Sequence, residues 1–534
     1  MTGLFNTLNT ANKGLMAQQT SLHTAGHNIA NANTRGYSRQ RVELKADMAY
    51  KLGGVGQLGT GVKMDSINRI VDEYVVKQIR NETSKLETYT AKSQVIDQLE
   101  VIFNEPSDTG LNFYLGEMFD SWQELSKNPE SLTSKTIVVE KSRALAETIN
   151  HMAKQINSLK DETVTQLEKN ALDFNSIVEK LAALNDQIYN IASSSQVPND
   201  LLDQRDLMLH DLATIANFRA TFDAFGRVSI KTADGQIDLL ATGGQEVYEL
   251  SVITEIEANE NGGYSINISR GGRESQVITM DENGIRQLLE IEGQEAIDIT
   301  PDMVNRLVGK VIFTNKEGEG LDIRLSDSIS SGKIQGNTEG LDVIEDSIKE
   351  LNDFAKMMAD AINYVHTRDT AGDLVDNYIN IFTYGDDPAS SLAINQDLEA
   401  SKILAGKDYD SPEGDGSRAL AIARLRNVKL NPQDELEFGQ GLLLRDMTGG
   451  VTIEGAYANI VIDIGISKEH ADNIIANQKV LVGQLELRRE STSGVSIDEE
   501  ITNIIKYQKA YEANARVIAT LAEMLDVLIN RTGV

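Results

Sequence analysis

Leu4-Phe5-Asn6-Thr7-Leu8-Asn9-Thr10-Ala11-Asn12-Lys13-Gly14-Leu15-Met16-Ala17-Gln18-Gln19-Thr20-Ser21-Leu22 opens the chain and decides how its ends fold. Leu4, Leu8, Ala11, Leu15, Gln18, Leu22, Ala25 and Ile29 step by four and three residues without a slip. Near the other end Ile497, Ile501, Ile504, Gln508, Tyr511, Ala515, Ile518, Ala522, Leu525 and Ile529 keep the same rhythm. Such alternation holds one apolar stripe toward a partner helix along a left-handed supercoil. The two stripes are therefore expected to pack on each other or on neighbouring subunits. Between residues 1 and 45 Lys13, Arg35, Arg39, Arg41 and Lys45 face a single acid, Glu43, whereas residues 496–534 are acidic on balance. Opposite charge favours their meeting, although exposed pairs add little energy.

Working inward, the first helix should end near Asn28–Asn33, because Asn accepts the left-handed cap and Gly36 follows. Residues 36–66 read as extended or irregular, and a helix is expected from about Asn68 to Phe103, stopped by Pro106 and Gly110. A long helix is expected over 132–194, where Phe174, Ile177, Leu181, Leu184, Ile188 and Ile191 again step three and four, and a shorter one over 199–216. At Phe218 the texture changes. Turn signals recur at Gly226, Asp234-Gly235, Gly243-Gly244, Asn261-Gly262-Gly263, Gly271-Gly272 and Asn283-Gly284. Between them Tyr264, Ile266 and Ile268 alternate with polar residues, and Leu321, Ile323 and Leu325 repeat the pattern of half-buried strands. Helical periodicity returns over about 340–368, one more long helix is expected over 450–490, and a surface loop at Asp408–Gly416 lies between them.

The expected fold is mainly α with an inserted β-rich domain: paired terminal heptad helices, a long-helix bundle and an outer β domain. The expected division is an axial core segment over 1–66 together with a core helix over 492–534, a bundle domain over 67–216 and 336–491, and the β-rich insertion over 217–335. A length of 534 residues suits about three or four domains.

A net charge of −31 argues against nucleic acid or an anionic membrane surface as the main partner. With no cysteine, disulfides, zinc-thiolate sites and cysteine nucleophiles are excluded. No run of apolar residues is long enough to span a membrane, so no membrane insertion is expected. Asn6, Thr7, Asn9, Thr10 and Asn12 break any secretory-signal core, so export would take another route. Gly54, Gly56 and Gly59 satisfy a dinucleotide-loop spacing, but no strand-helix-strand unit surrounds them, and a glycine-rich turn is the better reading. His23 and His27 lie one turn apart without a third metal ligand. The acidic loop at Asp408-Tyr409-Asp410 fails the calcium-loop pattern, because Glu413 and Ala419 occupy the places that require Gly and Glu. No catalytic motif appears, so no enzyme activity, cofactor or metal is expected.

Three segments say more. Gly14-Leu15-Met16-Ala17-Gln18-Gln19 leads into Asn28-Ile29-Ala30-Asn31-Ala32-Asn33-Thr34-Arg35-Gly36-Tyr37-Ser38-Arg39-Gln40. Gly59-Thr60-Gly61-Val62 precedes Ile67-Asn68-Arg69, and Ser493-Gly494-Val495-Ser496-Ile497-Asp498-Glu499-Glu500 precedes Tyr507-Gln508-Lys509-Ala510-Tyr511-Glu512-Ala513-Asn514-Ala515-Arg516. Together these resemble the terminal signatures of bacterial flagellar rod, hook and hook-associated axial proteins. Gly414-Asp415-Gly416 before Ala419-Leu420-Ala421 looks like an internal stretch of the hook-associated members. The likeness covers residues 1–80 and 493–534; Arg35 departs from a frequent Pro, and Ser496-Ile497 from a frequent Asn-Leu, without disturbing the stripes.

The resemblance implies a structural subunit in the layer that joins hook to filament, assembling with itself through its terminal helices. Its implied partners are the hook protein, a second hook–filament junction protein and an export chaperone on the C-terminal helix. Export would run through the flagellar type III apparatus to the outside of the cell. A hook or distal-rod subunit is the alternative. The residues expected to carry assembly are Leu4, Leu8, Leu15, Leu22, Ile29, Ile497, Ile501, Ile504, Tyr511, Ile518, Leu525 and Ile529. The signature residues are Asn28, Asn31, Asn33, Gly36, Tyr37, Arg39 and Gln40. Gln18 and Gln508 would set register, and stripes this marginal would order only on assembly.

Overall fold

The long periodic stretches become long helices. The computed structural model describes residues 2–531 except 53–55, 104–106, 108–109, 195, 243–246, 260–262, 271–274, 290–297, 317–321, 325–327, 376–377, 409 and 433. Gly54, Pro106, Gly243-Gly244, Asn261-Gly262, Gly271-Gly272, Leu321, Leu325 and Tyr409, read above as turn, strand or loop signals, lie outside the described residues.

Helix α1 (Thr2–Ala30) leads into a bent hairpin of β1 (Gln40–Ala46), β2 (Tyr50–Leu52), β3 (Gly56–Leu58) and β4 (Val62–Arg69). β1 pairs antiparallel with β4, and β2 with β3. Asn68 and Arg69 pair with Arg41 and Gln40, so the next helix, α2 (Glu73–Phe103), starts later than its periodicity suggests. Its start is set by Asp72, whose Oδ1 accepts the amides of Tyr74 at 3.1 Å and Val75 at 3.2 Å.

Helix α3 (Leu111–Lys127) is an element the sequence reading passed over. Its four-three stripe of Leu111, Leu115, Met118, Trp122 and Leu125 is fully buried. Helix α4 (Leu132–Ala192) has 61 residues and so extends about 90 Å; Ser131 caps it by accepting the Ser134 amide. α5 (Asn199–Ile215) follows.

The middle of the chain holds two sheets. β5 (Arg219–Phe222), β6 (Val228–Lys231) and β7 (Asp238–Leu240) form one. β8 (Tyr248–Ala258), β9 (Tyr264–Ser269), β10 (Gln276–Met280), β11 (Val311–Asn315) and β12 (Ile323–Arg324) form the other, in spatial order β10-β9-β8-β11-β12. Short helices α6 (Glu282–Leu288) and α7 (Pro301–Asn305) cover the larger sheet. Val228, Ile230 and Leu239 join the core of the helices, whereas Ile253, Ile266, Ile268, Ile285, Leu288 and Ile312 build a separate core under the five-stranded sheet.

Helix α8 (Lys333–Thr367) begins earlier than the expected 340. Gly336 and Gly340 are places where α2 comes close. A Cβ at Gly336 would stand 2.2 Å from the Thr88 carbonyl oxygen, and one at Gly340 2.9 Å from Val95. α9 (Pro388–Ser391), α10 (Ser417–Arg424), α11 (Ile453–Ser493) and α12 (Ile497–Asp526) complete the chain. α2 lies against both α8 and α11, and α4 against α8, which makes the bundle; α1 lies against α12. Among the described residues, neither core includes a residue of α1 or α12. The terminal pair stands outside the body.

Candidate functional site: the terminal helix pair and its neck

Small residues bring α1 and α12 together. Gly14 faces Asn514, and a Cβ there would lie 2.9 Å from Asn514 Oδ1. Ser21 and Ala25 share a narrow gap with Asn503 and Tyr507. Ala11 and Ala25, which look like weak points of the stripe, are its most enclosed members at 5% and 2% exposure. The larger residues Leu4, Leu8, Leu15, Leu22 and Ile29 lie half-buried on the flank of that contact, as does Gln18. On α12 Ile504, Ile518 and Leu525 are half-buried, whereas Ile497, Ile501, Tyr511 and Ile529 are exposed, and so is Gln508. Ile505, Val517 and Met524 add to the uncovered apolar surface. Each helix therefore carries one contact face and a further apolar flank left open.

At the base of the pair the signature residues converge. Asn28 acts as an extra strand partner for Gln40: its Nδ2 donates to the Gln40 carbonyl and its Oδ1 accepts the Gln40 amide, both at 2.9 Å. The same Oδ1 accepts the Tyr37 hydroxyl at 2.8 Å. Burial, then Asp200, Asp203 and Glu500, push the Tyr37 phenol above its ordinary range, so it stays a donor. Asn31 closes the helix end by donating to the His27 carbonyl and accepting from Thr34. Gly36 takes φ of 83° against Leu207, a conformation that strains other residues. Asn33 is exposed.

Arg39 ties the two termini together. Its amide donates to the Ser493 carbonyl at 3.0 Å, and its guanidinium meets Glu500 at 2.7 Å and Glu499 at 3.0 Å. The opposite charges of the two ends thus meet at named atoms. Burial alone would lower Arg39, but Glu499 and Glu500 hold it above the usual value.

The sequence reading missed the acidic face of α5, spaced as Asp200, Asp203 and Asp206. Asp200 accepts from Gln40 Nε2 at 2.9 Å, and Asp203 accepts the Ser38 amide at 3.0 Å. Arg69 bridges Asp203 at 2.8 Å and Asp206 at 2.9 Å. The three-residue repeat within Asp200–Asp206 was the available clue, since it places all three carboxylates along one face. His27, dismissed as a metal ligand, instead packs edge-on against Tyr37 with ring centres 5.6 Å apart. The neck is a polar clasp.

The comparisons with known proteins agree with this geometry. The family description "Flagellar hook-associated protein FlgK helical domain" matches residues 96–284, "Flagella basal body rod protein" matches 8–37 and "Flagellar basal body rod FlgEFG protein C-terminal" matches 489–531. Flagellar hook-associated protein 1 of Bacillus subtilis is 28% identical over 100% of this chain and 99% of its own length. Along its whole length the chain is similar to flagellar hook-associated proteins. The Salmonella typhimurium hook-associated protein 1 is 23% identical over 98% of this chain and 99% of its own length. The solved Burkholderia pseudomallei structure, titled as the flagellar hook junction protein FlgK, superposes with a TM-score of 0.54 at 15% identity. It covers 78% of this chain and 100% of its own, and shares the fold. Likeness to hook-associated proteins fits two rod-type terminal matches flanking a distinct helical middle.

Proposed function

We propose that this chain is a structural subunit of the bacterial flagellum that forms the layer connecting the hook to the filament. The observation that carries this reading is the terminal pair, which stands outside both cores yet leaves apolar flanks uncovered on α1 and α12. Fully burying an Ile or Leu side chain is worth about 1.5–3 kcal/mol, so lateral packing of several copies would be strongly favoured. The assembly residues are the half-buried Leu4, Leu8, Leu15, Leu22 and Ile29 with Ile497, Ile501, Ile504, Tyr511, Ile518, Leu525 and Ile529. On this reading residues 1–66 and 492–534 form the axial core, 67–216 and 336–491 the bundle, and 217–335 the outer β-rich part. The chain has no catalytic role. It meets the hook protein on one side and a second junction protein on the other. Before export by the type III route, a chaperone shields the uncovered face of α12.

The test is electron microscopy of cells lacking the gene, with flagellin assayed in the medium. Bare hooks with shed flagellin are expected, because filament subunits then have nothing to build on. Full filaments on the mutant would overturn the reading, and missing hooks would move the subunit inward to the hook or rod.

A further inference from the structure

Helix α12 buries little of itself, and part of what it buries is an acid. Among the described residues of α12 only Glu500 and Leu521 are buried. Glu500 is 3% exposed, more enclosed than Leu521 at 8%, although its helix lies outside both cores. An acid in the first turn suits the helix dipole at the surface and needs no burial for that. Among the described residues its one ion pair is with Arg39, at 2.7 Å. The adjacent Glu499 is 58% exposed, so its own contact with Arg39 adds little. Closing α12 on α1 therefore takes a carboxylate out of water, which is strongly opposed unless a cation already stands beside it.

The body decides where that cation stands. Residues 38–40 are each bound to a different element. The Ser38 amide donates to Asp203 of α5 at 3.0 Å. The Arg39 amide donates to the Ser493 carbonyl at the end of α11, also at 3.0 Å. The Arg39 carbonyl accepts the amide of Ile70, just past β4, at 2.8 Å. The Gln40 amide donates to Asn28 of α1 at 2.9 Å. Asp203 also holds Arg69, the last residue of β4, at 2.8 Å. Arg39 thus reaches Glu500 only when α5, α11 and the hairpin have already come together.

We propose that Arg39 and Glu500 form an interlock: α12 docks on α1 only in a chain whose body has folded and presents Arg39. Apolar stripes by themselves would let the two ends pair early, in one chain or between chains. The buried acid opposes that early pairing, and the folded neck removes the barrier. The device rests on the assembly reading above, since it means that only a finished subunit displays the paired helices and their open flanks.

The test is amide exchange in the purified full-length chain, with Trp122 fluorescence confirming a folded body in every variant. Arg39→Gln should speed exchange in α12 about tenfold or more while leaving α4 and α8 unchanged. Glu500→Leu removes the acid, so α12 should exchange no faster than in the wild type, and Arg39→Gln added to it should have little effect. Asp203→Asn disturbs the seat of Ser38 without touching α12. It should loosen α12 in the wild-type background and not in Glu500→Leu. If Asp203→Asn unfolds the body, Ser38→Pro deletes the donated amide and takes its place. Equal exchange in α12 for the wild type and Arg39→Gln would overturn the interlock. An effect of Asp203→Asn that persists undiminished in Glu500→Leu would overturn it too, since the lesion would then reach α12 by another route. Either failure leaves the junction reading intact, because that reading is tested by microscopy of cells lacking the gene.

Discussion

His366 shows how one buried side chain governs the response to acid. Its Nδ1 donates to the Ile379 carbonyl at 2.8 Å and its Nε2 accepts the Leu404 amide at 3.1 Å, an arrangement that needs a neutral ring. Burial pushes its pKa down from 6.5 to about 4. The unfolded chain therefore takes up a proton that the folded chain refuses. Stability is fully present above pH 6.5 and falls progressively toward pH 4, by on the order of 3 kcal/mol from this group. Trp122, the sole tryptophan, is fully buried with its ring centre 6.4 Å from that of His366 and reports unfolding directly. Urea midpoints followed by its fluorescence should drop through this window in the wild type and less steeply in His366→Gln. Parallel slopes would assign the loss to other groups. Nearby, the Gly414-Asp415-Gly416 motif proves to be structural. Asp415 accepts the amides of Lys407 and Ser417, and Gly416 lies against the Ser126 carbonyl. Arg418, wholly buried, donates only to backbone carbonyls, among them Val365, Arg368 and Gly406. Two of these close the end of α8, where carbonyls have no helical partner.

Among the elements, the α2–α8 contact depends on what is missing from Gly336 and Gly340. Glycine inside a helix costs about 1 kcal/mol relative to alanine, so its retention there needs a packing reason. Gly336→Ala gains helix propensity but places a methyl 2.2 Å from the Thr88 oxygen, which cannot swing aside as a side chain would. The expected net effect is destabilising by about 1–3 kcal/mol, read as a lower denaturant midpoint with an unchanged slope. A gain in stability would show that the two helices separate freely. The neck follows a similar rule. Gly494 divides α11 from α12 because a Cβ there would stand 2.3 Å from the Glu490 oxygen. Ser496 then caps α12 by accepting the Glu499 amide at 3.4 Å.

For the whole molecule, the separation of the terminal pair from both cores predicts two tiers of stability. Deleting residues 1–31 and 497–534 should leave the thermal midpoint of the body within a few degrees, because no residue of either core is removed. The clasp contacts of Arg39 with Glu499 and Glu500 would be lost, but none of the three belongs to either core. In the intact monomer, amide exchange in α1 and α12 should be fast compared with α2, α4 and α8, since a lone helix pair with open flanks opens locally. Equal protection throughout would show that the pair is fully ordered before assembly.

Much of this was legible in the chain itself. Helix phase is a local property, and α1, α12, the second half of α4 and most of α8 are visible as apolar residues recurring at three and four. The signature around Asn28–Gln40 marked the neck as special. Opposite charge at the two ends anticipated Arg39 meeting Glu499 and Glu500. What the pattern alone could not reveal was which residues touch. Ala11 and Ala25 look like gaps in a stripe, yet close approach of two backbones needs small residues, and the leucines become flanks. The reason for Gly336 and Gly340 lies in the approach of α2. The acids of α5 are ordinary solvent-facing charges until the hairpin delivers Gln40, Ser38 and Arg69 to them. Periodicity along one segment determines what that segment becomes. Only the arrival of a distant segment, with its shape and its unpaired donors, decides what each face is for.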